Sequence, residues 1–213
     1  MPSDSSVTPT RAAGRPVSID PEAVAALALR IFAEHGYEQT SMEDIAREAG
    51  VGRKTLYRHF ANKADLVWGG MGPALQASVP LLDAPPAPNA KPQEILDGLR
   101  DALIAGVDAL PDLAVTRGRL RLIAEHPELM SRSYEFLGAQ RDRTRSYLTA
   151  RGVSETTAGY FCAALIGASF EAWLQWAVGQ DPAPTAHLQA ALAVLRVDHA
   201  DSLDSARPAT PSK

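Results

Sequence analysis

Positive charge is concentrated in one short stretch of an otherwise acidic chain. The 213-residue sequence carries a formal net charge of −4, yet five Lys or Arg residues and only one acid, Glu48, lie between Arg47 and Lys63. Lys and Arg side chains neutralise phosphates and donate hydrogen bonds to guanine edges, so this stretch indicates DNA binding. A solvated helix face is the alternative explanation of such a charge run.

Two short helices joined by a tight turn would position these cations. Ser41 and Asp44 form a capping-box-like start of the first helix, and Gly50 suits the left-handed residue that closes it. Leu56 and Phe60, four residues apart with polar residues between them, predict the second helix. The pattern is that of a helix-turn-helix, with Lys54, Thr55 and Arg58 on the outward face of the second helix.

The same stretch resembles a known family. The recognition-helix signature of TetR-type transcriptional regulators is similar to Gly50-Val51, Thr55-Leu56-Tyr57-Arg58-His59-Phe60 and Asn62-Lys63. The resemblance covers roughly residues 20–66. The family usually has a small polar residue where this chain has Gly52, which removes a side-chain cap from the second helix.

The resemblance implies roles for particular residues. It assigns base edges to Arg53, Lys54 and Arg58. It assigns phosphates, which position a reader without specifying sequence, to Ser41, Thr55, Tyr57, His59 and Lys63. Tyr57 has a competing role as a packing residue.

The periodic segments are rich in Ala and Leu and none alternates like a strand, so the predicted fold class is all-α. Residues 1–17 are expected to form a disordered basic arm, which either reaches into a minor groove or only solubilises the chain. Residues 18–63 are expected to form the helix-turn-helix domain, with Asp20 and Pro21 starting its first helix. A larger helical domain is expected over residues 64–199 and a disordered tail over 200–213.

A connecting helix is expected to follow the helix-turn-helix. Gly69, Gly70, Gly72 and Pro73 lie inside it, and because each disfavours a helix interior they predict a bend or break near Gly72. A long helix is predicted from His126 to about residue 151.

In the resembled family the connecting helix touches a small-molecule pocket. The residues expected to line that pocket here are mainly apolar: Trp68, Met71, Leu75, Leu99, Leu103, Tyr134, Phe136, Phe170 and Trp173. Arg121, with Arg117 and Arg119, is a candidate anionic anchor at its mouth, suited to an acyl-CoA or a carboxylate, with a solvated face as the alternative. The run Arg119-Leu120-Arg121-Leu122-Ile123, which leads into Pro127-Glu128-Leu129, resembles, more weakly, an actinobacterial subgroup that includes mycofactocin-type regulators.

Two C-terminal helices, expected over residues 155–179 and 186–197, are candidates for a homodimer interface. Small residues four apart form a ridge on the first, and leucines form an apolar stripe on the second. The predicted interface residues are Gly159, Ala163, Gly167, Leu188, Leu192 and Leu195. The alternative is that this surface belongs to the chain's own core.

Composition bounds the remaining possibilities. The single Cys162 rules out an internal disulfide framework and is typical of a buried residue in a cytoplasmic protein. The longest uncharged apolar-rich run has 15 residues, so no membrane segment is predicted. Histidines are scattered without metal-ligand spacing, and the acids flanking His126 are explained by helix-end charges, so neither an enzyme, a metal site nor a cofactor is predicted.

The expected function is therefore that of a dimeric, ligand-responsive transcriptional regulator, most simply a repressor. It is expected to bind a palindromic DNA operator and to be released by a small apolar or amphipathic effector. The alternative is a helical small-molecule-binding or interaction protein without sequence-specific DNA binding.

Overall fold

The computed structural model describes residues 19–87 and 90–195, and within these ranges the chain forms helices and no strand, which confirms the all-α prediction. The predicted arm, residues 1–17, and tail, residues 200–213, lie outside the described residues. The helices are α1 Pro21–His35, α2 Met42–Glu48, α3 Arg53–His59, α4 Lys63–Gly69, α5 Gly72–Ala77, α6 Val79–Leu82, α7 Pro92–Asp108, α8 Leu113–Glu125, α9 Pro127–Ser131, α10 Ser133–Phe136, α11 Gly138–Thr149, α12 Glu155–Val178 and α13 Thr185–Ala193.

After the roles that the sequence predicts for them, we call helices α1 to α3 the reading domain and helices α4 to α13 the effector domain. The Asp20 side chain accepts hydrogen bonds from the Glu22 and Ala23 amides, which caps α1 as its sequence predicts. Ala28, Ile45 and Leu56, one from each helix of the reading domain, are fully buried together.

The core of the reading domain continues without a break into the effector domain. Trp68 on α4, Leu120 on α8 and Trp176 on α12 belong to the same buried cluster as Ile45 and Leu56. The Trp68 indole donates a hydrogen bond to the Leu129 carbonyl oxygen over 3.2 Å and stacks on Phe136. Helix α4 therefore contributes side chains to a buried cluster that also contains residues of the reading domain.

The predicted break in the connecting helix is present. Helix α4 ends at Gly69, a turn occupies Gly70 and Met71, and α5 begins at Gly72. The glycines and Pro73 that make a continuous helix unfavourable lie at this turn, which we call the bend.

One buried guanidinium fixes the bend against α8. Arg119 is only 4% exposed and donates a hydrogen bond to the Gly70 carbonyl oxygen over 3.2 Å. Burial lowers the pKa of Arg119 to about 10, opposed by the nearby Glu22 carboxylate. A Cβ atom at Gly70 would overlap this guanidinium, whereas a Cβ at Gly72 would meet open space.

The single long helix predicted from His126 to about residue 151 is wrong, because the segment forms α9, α10 and α11. Turns at Arg132, which keeps right-handed helical dihedral angles (φ −82°, ψ −5°), and at Leu137 (φ −89°, ψ 4°) separate the three helices. The segment turns because it wraps around α4: Arg132 binds Asn62 and Asp65 at the start of α4, and Phe136 stacks on Trp68.

Helix α12 is the central helix of the effector domain and packs against α8, α11 and α13. Among the described residues it is the one helix long and apolar enough, by length and composition, to cross a membrane, which the count of uncharged residues did not anticipate. Its buried residues, including Cys162, Leu165 and Trp176, lie among neighbouring helices of the same chain, as expected of a core helix.

The contact between Gly70 and Arg119 makes a stability prediction. We expect Gly70→Ala to lower the free energy of unfolding by about 1–3 kcal/mol, because the added methyl group must displace a buried guanidinium from its hydrogen bond. Urea denaturation followed by circular dichroism measures the change.

Gly72→Ala is the matched control, since the same methyl group enters open space two residues away. Its free energy of unfolding should stay within about 0.5 kcal/mol of the parent chain. Equal stability of the two variants would show that Arg119 does not constrain the bend.

Candidate functional site

The turn between α2 and α3 has the geometry of a helix-turn-helix. The Ser41 hydroxyl accepts a hydrogen bond from the Asp44 amide, and Asp44 accepts from the Ser41 amide, which completes the predicted capping box. Hydrogen bonds that the Asp44 carboxylate accepts from the Ser41 hydroxyl, the Ser41 amide and the Arg47 guanidinium lower the pKa of Asp44 to about 2, so the box is intact at neutral pH. Gly50 adopts φ +65°, the left-handed conformation predicted for it.

Helix α3 begins at Arg53 with Gly52 as its N-cap, and no side chain caps it. The Thr55 and Leu56 amides both donate to the Gly52 carbonyl oxygen, over 2.8 and 3.0 Å. The absent cap does not displace the start of the helix, because Leu56 is fully buried and anchors its inner face.

Lys54 and Arg58 lie one helical turn apart on the outer face of α3. Both side chains are exposed, and neither has a hydrogen-bond or ion-pair partner among the described residues. Tyr57 and His59 are also exposed and flank them, and Thr55 is half-buried. The outer face therefore presents two cations and several hydrogen-bonding groups to whatever lies against it.

Three further residues predicted to bind DNA have partners within the protein. Arg53 forms an ion pair with Glu43 over 2.7 Å and lies 5.5 Å from the Tyr57 ring centre. Ser41 is engaged in the capping box. Lys63 donates a hydrogen bond to the Tyr37 carbonyl oxygen over 2.6 Å and lies over the Tyr37 ring, so it supports the fold at the exit of the reading domain.

A cavity of about 90 Å³ lies where the bend faces α7 and α12. The structure brings six of the predicted pocket residues to its wall: Trp68, Met71, Leu75, Leu103, Phe170 and Trp173. Sequence reasoning missed its polar groups, Ser78, Gln140 and Ser169. The Ser169 hydroxyl is buried without a hydrogen-bond partner among the described residues, and no periodic signal marks a lone Ser on an apolar helix.

The other predicted pocket residues do not line this cavity. Leu99 is buried in a separate cluster between α7 and α11, and Phe136 lies behind Trp68. Tyr134 is 73% exposed and lines a neighbouring cleft.

The arginines of α8 are structural, which corrects the expectation of an anionic anchor. Arg121 donates to the Ala177 carbonyl oxygen over 2.6 Å, and Arg117 donates to the Gly179 carbonyl oxygen over 2.9 Å. Both therefore bind free carbonyl groups at the C-terminal end of α12, where positive charge is favourable. Their acceptors lie more than fifty residues away in sequence, so spacing alone does not reveal them.

A cleft of about 410 Å³ runs between α11 and α12 beside the cavity. Gly159, Ala163 and Gly167, predicted for the dimer interface, lie along it opposite Arg141 and Arg145. The cleft and the cavity share three residues in their walls: Leu137, Ile166 and Phe170.

The leucines predicted for the dimer interface lie inside the protomer, which is a correction. Leu188 and Leu192 are 2% and 6% exposed because they pack against α12 and α7 of the same chain, and Leu195 is half-buried against the same core. The exposed face of α13 carries Gln189, Ala190 and Val194 instead.

Comparison with known proteins agrees with this geometry. Residues 25–67 match the family described as bacterial regulatory proteins, tetR family. The chain is 32% identical over 146 residues to the putative mycofactocin biosynthesis transcriptional regulator MftR of Mycobacterium tuberculosis (strain ATCC 25618 / H37Rv), covering 68% of this chain and 71% of that protein. Over 66 residues, 31% of each chain, it is 38% identical to the transcriptional repressor ComR of Escherichia coli (strain K12).

Among solved structures, the SmeT–triclosan complex shares the fold, with a TM-score of 0.55 at 18% identity over 84% of this chain and 92% of that one. The matched proteins are transcriptional regulators rather than enzymes. Regulators of this family bind DNA and small-molecule effectors and act as dimers. The chain belongs to the TetR family of transcriptional regulators.

Proposed function

We propose that this regulator is a dimeric repressor that binds a palindromic operator through α3 and is released by a small apolar or amphipathic effector held beside the bend. The observation that carries the proposal is the unpartnered pair Lys54 and Arg58 on the exposed face of α3. Repression agrees with the printed role of ComR, which is similar to this chain over 66 residues.

The contacts that each α3 side chain makes within the protein indicate which residues bind bases and which bind phosphates. Lys54 and Arg58 have no ion-pair or hydrogen-bond partner among the described residues. No such interaction is therefore broken when they bind base edges. Arg53 must exchange Glu43 for DNA, which makes it a weaker candidate for a base contact. Tyr57, Thr55 and His59 remain candidates for phosphates, where a hydroxyl or imidazole donor positions the helix.

The effector proposal rests on the cavity. Its wall is mainly apolar, and Ser169 supplies a hydroxyl whose hydrogen bond is unmade, so an effector with one polar group on an apolar body suits it. At about 90 Å³ it is smaller than the roughly 300 Å³ at which ligand pockets begin. An effector must therefore enlarge it, by moving the bend or by opening the shared wall into the cleft, where Arg141 and Arg145 suit the polar end of an amphipath.

The dimer interface we propose uses the exposed stripe of α12. Tyr160, Ala163, Gly167 and Val178 recur at helical spacing along it, with the exposed polar residues Glu171 and Gln175 between the last two, and Val178 is 59% exposed. Helix α13, whose exposed residues include Gln189, Ala190 and Val194, packs against α12. Two copies related by a two-fold axis would bury both faces in a four-helix bundle, which matches the two-fold symmetry of a palindrome.

The alternative, a small-molecule-binding protein without sequence-specific DNA binding, leaves the cationic face of α3 unexplained. It differs from the proposal in one observable, which is whether any duplex is bound in preference to bulk genomic DNA.

DNA binding by α3 is tested with single substitutions. We expect Lys54→Ala and Arg58→Ala each to weaken the preferred operator about 5- to 100-fold and to relax preference at particular base pairs, because a bidentate base contact contributes roughly 1–3 kcal/mol of discrimination. Operator selection from genomic fragments, followed by gel-shift titration on single-base variants, measures both effects.

Lys91→Ala is the matched control, an exposed cation at the start of α7 far from α3. Its operator affinity should equal that of the parent chain. If Lys54→Ala and Arg58→Ala weaken every duplex equally without changing base preference, these residues contact phosphates and the base assignment is wrong.

The dimer interface is tested at Gly167. A Cβ atom there meets open space within the protomer, so Gly167→Leu should leave the fold intact while its side chain holds two α12 helices apart. We expect at least a tenfold weaker dimer by analytical ultracentrifugation. Ser146→Leu, which adds the same side chain on the exposed face of α11, should dimerise normally; unchanged dimerisation of Gly167→Leu would place the interface elsewhere.

A further inference from the structure

Three potential metal ligands meet where the reading domain contacts the effector domain. Glu38 lies in the turn between α1 and α2, His126 follows the end of α8, and Glu128 lies in the first turn of α9. One ring nitrogen of His126 and one carboxylate oxygen of each glutamate all lie within 4.8 Å of one another. Sequence spacing predicts no such site, because Glu38 is 88 residues away from His126.

The tautomer of His126 is set for metal binding. Its Nδ1 is 2.9 Å from the Leu122 carbonyl oxygen, and since a carbonyl oxygen only accepts, Nδ1 carries the proton. Nε2 is then left with the lone pair that a metal ion requires. Metal-binding histidines usually donate their other ring N–H to a carbonyl or carboxylate in this way. The imidazole is further held by the Tyr37 ring, 4.8 Å away between centres.

The two carboxylates are not neutralised by neighbouring cations. Among the described residues Glu38 and Glu128 have no salt-bridge partner; Arg132 is engaged with Asp65 over 3.1 Å and Lys63 with the Tyr37 carbonyl oxygen. No ion pair among the described residues therefore compensates the charge of these two carboxylates.

We propose that Glu38, His126 and Glu128 bind a divalent first-row transition metal ion that bridges the reading and effector domains. Ligands 2.0–2.1 Å from a tetrahedral ion lie about 3.3 Å apart, so the exposed glutamate side chains must close by up to about 1.5 Å. One imidazole and two carboxylates suit Zn²⁺ or a neighbouring transition ion, whereas Mg²⁺ prefers oxygen ligands and water. Water completes the coordination.

An ion bound by all three residues links two separate parts of the structure. Glu38 belongs to the turn that precedes the capping box of α2, and His126 and Glu128 belong to the junction of α8 and α9, which packs behind α4. An ion held by both sides ties the turn at residues 36–39 to the effector domain.

The test is Zn²⁺ titration of the full chain after chelator treatment, followed by isothermal calorimetry. We expect one ion per chain at micromolar affinity or tighter, no comparable binding of Mg²⁺, and at least tenfold weaker Zn²⁺ binding for Glu38→Gln, Glu128→Gln and His126→Gln. Both glutamates are exposed, so their variants keep the fold and decide the question even if His126→Gln is unstable.

His187→Gln is the matched control, because His187 also faces a carboxylate, that of Asp181, over 2.7 Å. It should bind Zn²⁺ as the parent chain does. Binding that survives all three ligand substitutions, or no saturable binding at all, overturns the proposal.

Hydrogen exchange distinguishes a bridge from a one-sided site. Zn²⁺ should slow exchange of backbone amides at residues 36–41 in the parent chain and leave them unchanged in Glu128→Gln. Tight binding without protection of this turn would show that the ion does not join the two domains.

Discussion

The buried guanidinium of Arg119 is the interaction that holds the bend of the connecting helix against α8. A buried charge is costly without hydrogen bonds, and for Arg119, which is 4% exposed and whose Nε has no partner among the described residues, the Gly70 carbonyl oxygen at the bend supplies one. That carbonyl is available because the connecting helix is broken there. The break, the small residue at position 70 and the buried arginine on α8 therefore require one another.

Helix α8 connects the bend to the helices on both of its sides. It packs against α1 and α4 on one side and against α12 on the other, and its remaining arginines bind the C-terminal carbonyl groups of α12. The bend also forms one wall of the cavity, through Met71 and Leu75, while Trp68 belongs both to that wall and to the core shared with the reading domain. Trp68 in the cavity wall and Leu56 of α3 consequently belong to one continuous buried cluster.

Local chemistry was readable from the sequence. The cap at Asp20, the capping box of Ser41 and Asp44, the left-handed Gly50 and the break among the glycines depend on residues a few positions apart, and the structure confirms each. Contacts between residues far apart in sequence could not be predicted in this way. The stripe of Leu188 and Leu192 shows that a face is apolar but not whether it meets its own chain or another, and Arg121 gives no sign that its acceptor is the Ala177 carbonyl oxygen. The same limitation hid Ser169 and the meeting of Glu38 with His126.

In the function we propose, the volume of the cavity beside the bend sets the position of the reading domain. The distance between the two reading domains of a dimer tests this directly. A spin label at Glu48→Cys on exposed α2 suffices, because Cys162 is buried and burial raises the pKa of its thiol to about 11, which leaves it unreactive. Ala102→Leu fills the cavity from α7, and Ala114→Leu adds the same atoms on the exposed face of α8 as a control. Pulsed electron paramagnetic resonance should show the mean distance between labels shifting by about 2 Å or more in Ala102→Leu and not in Ala114→Leu. Identical distance distributions in the two variants would contradict the account.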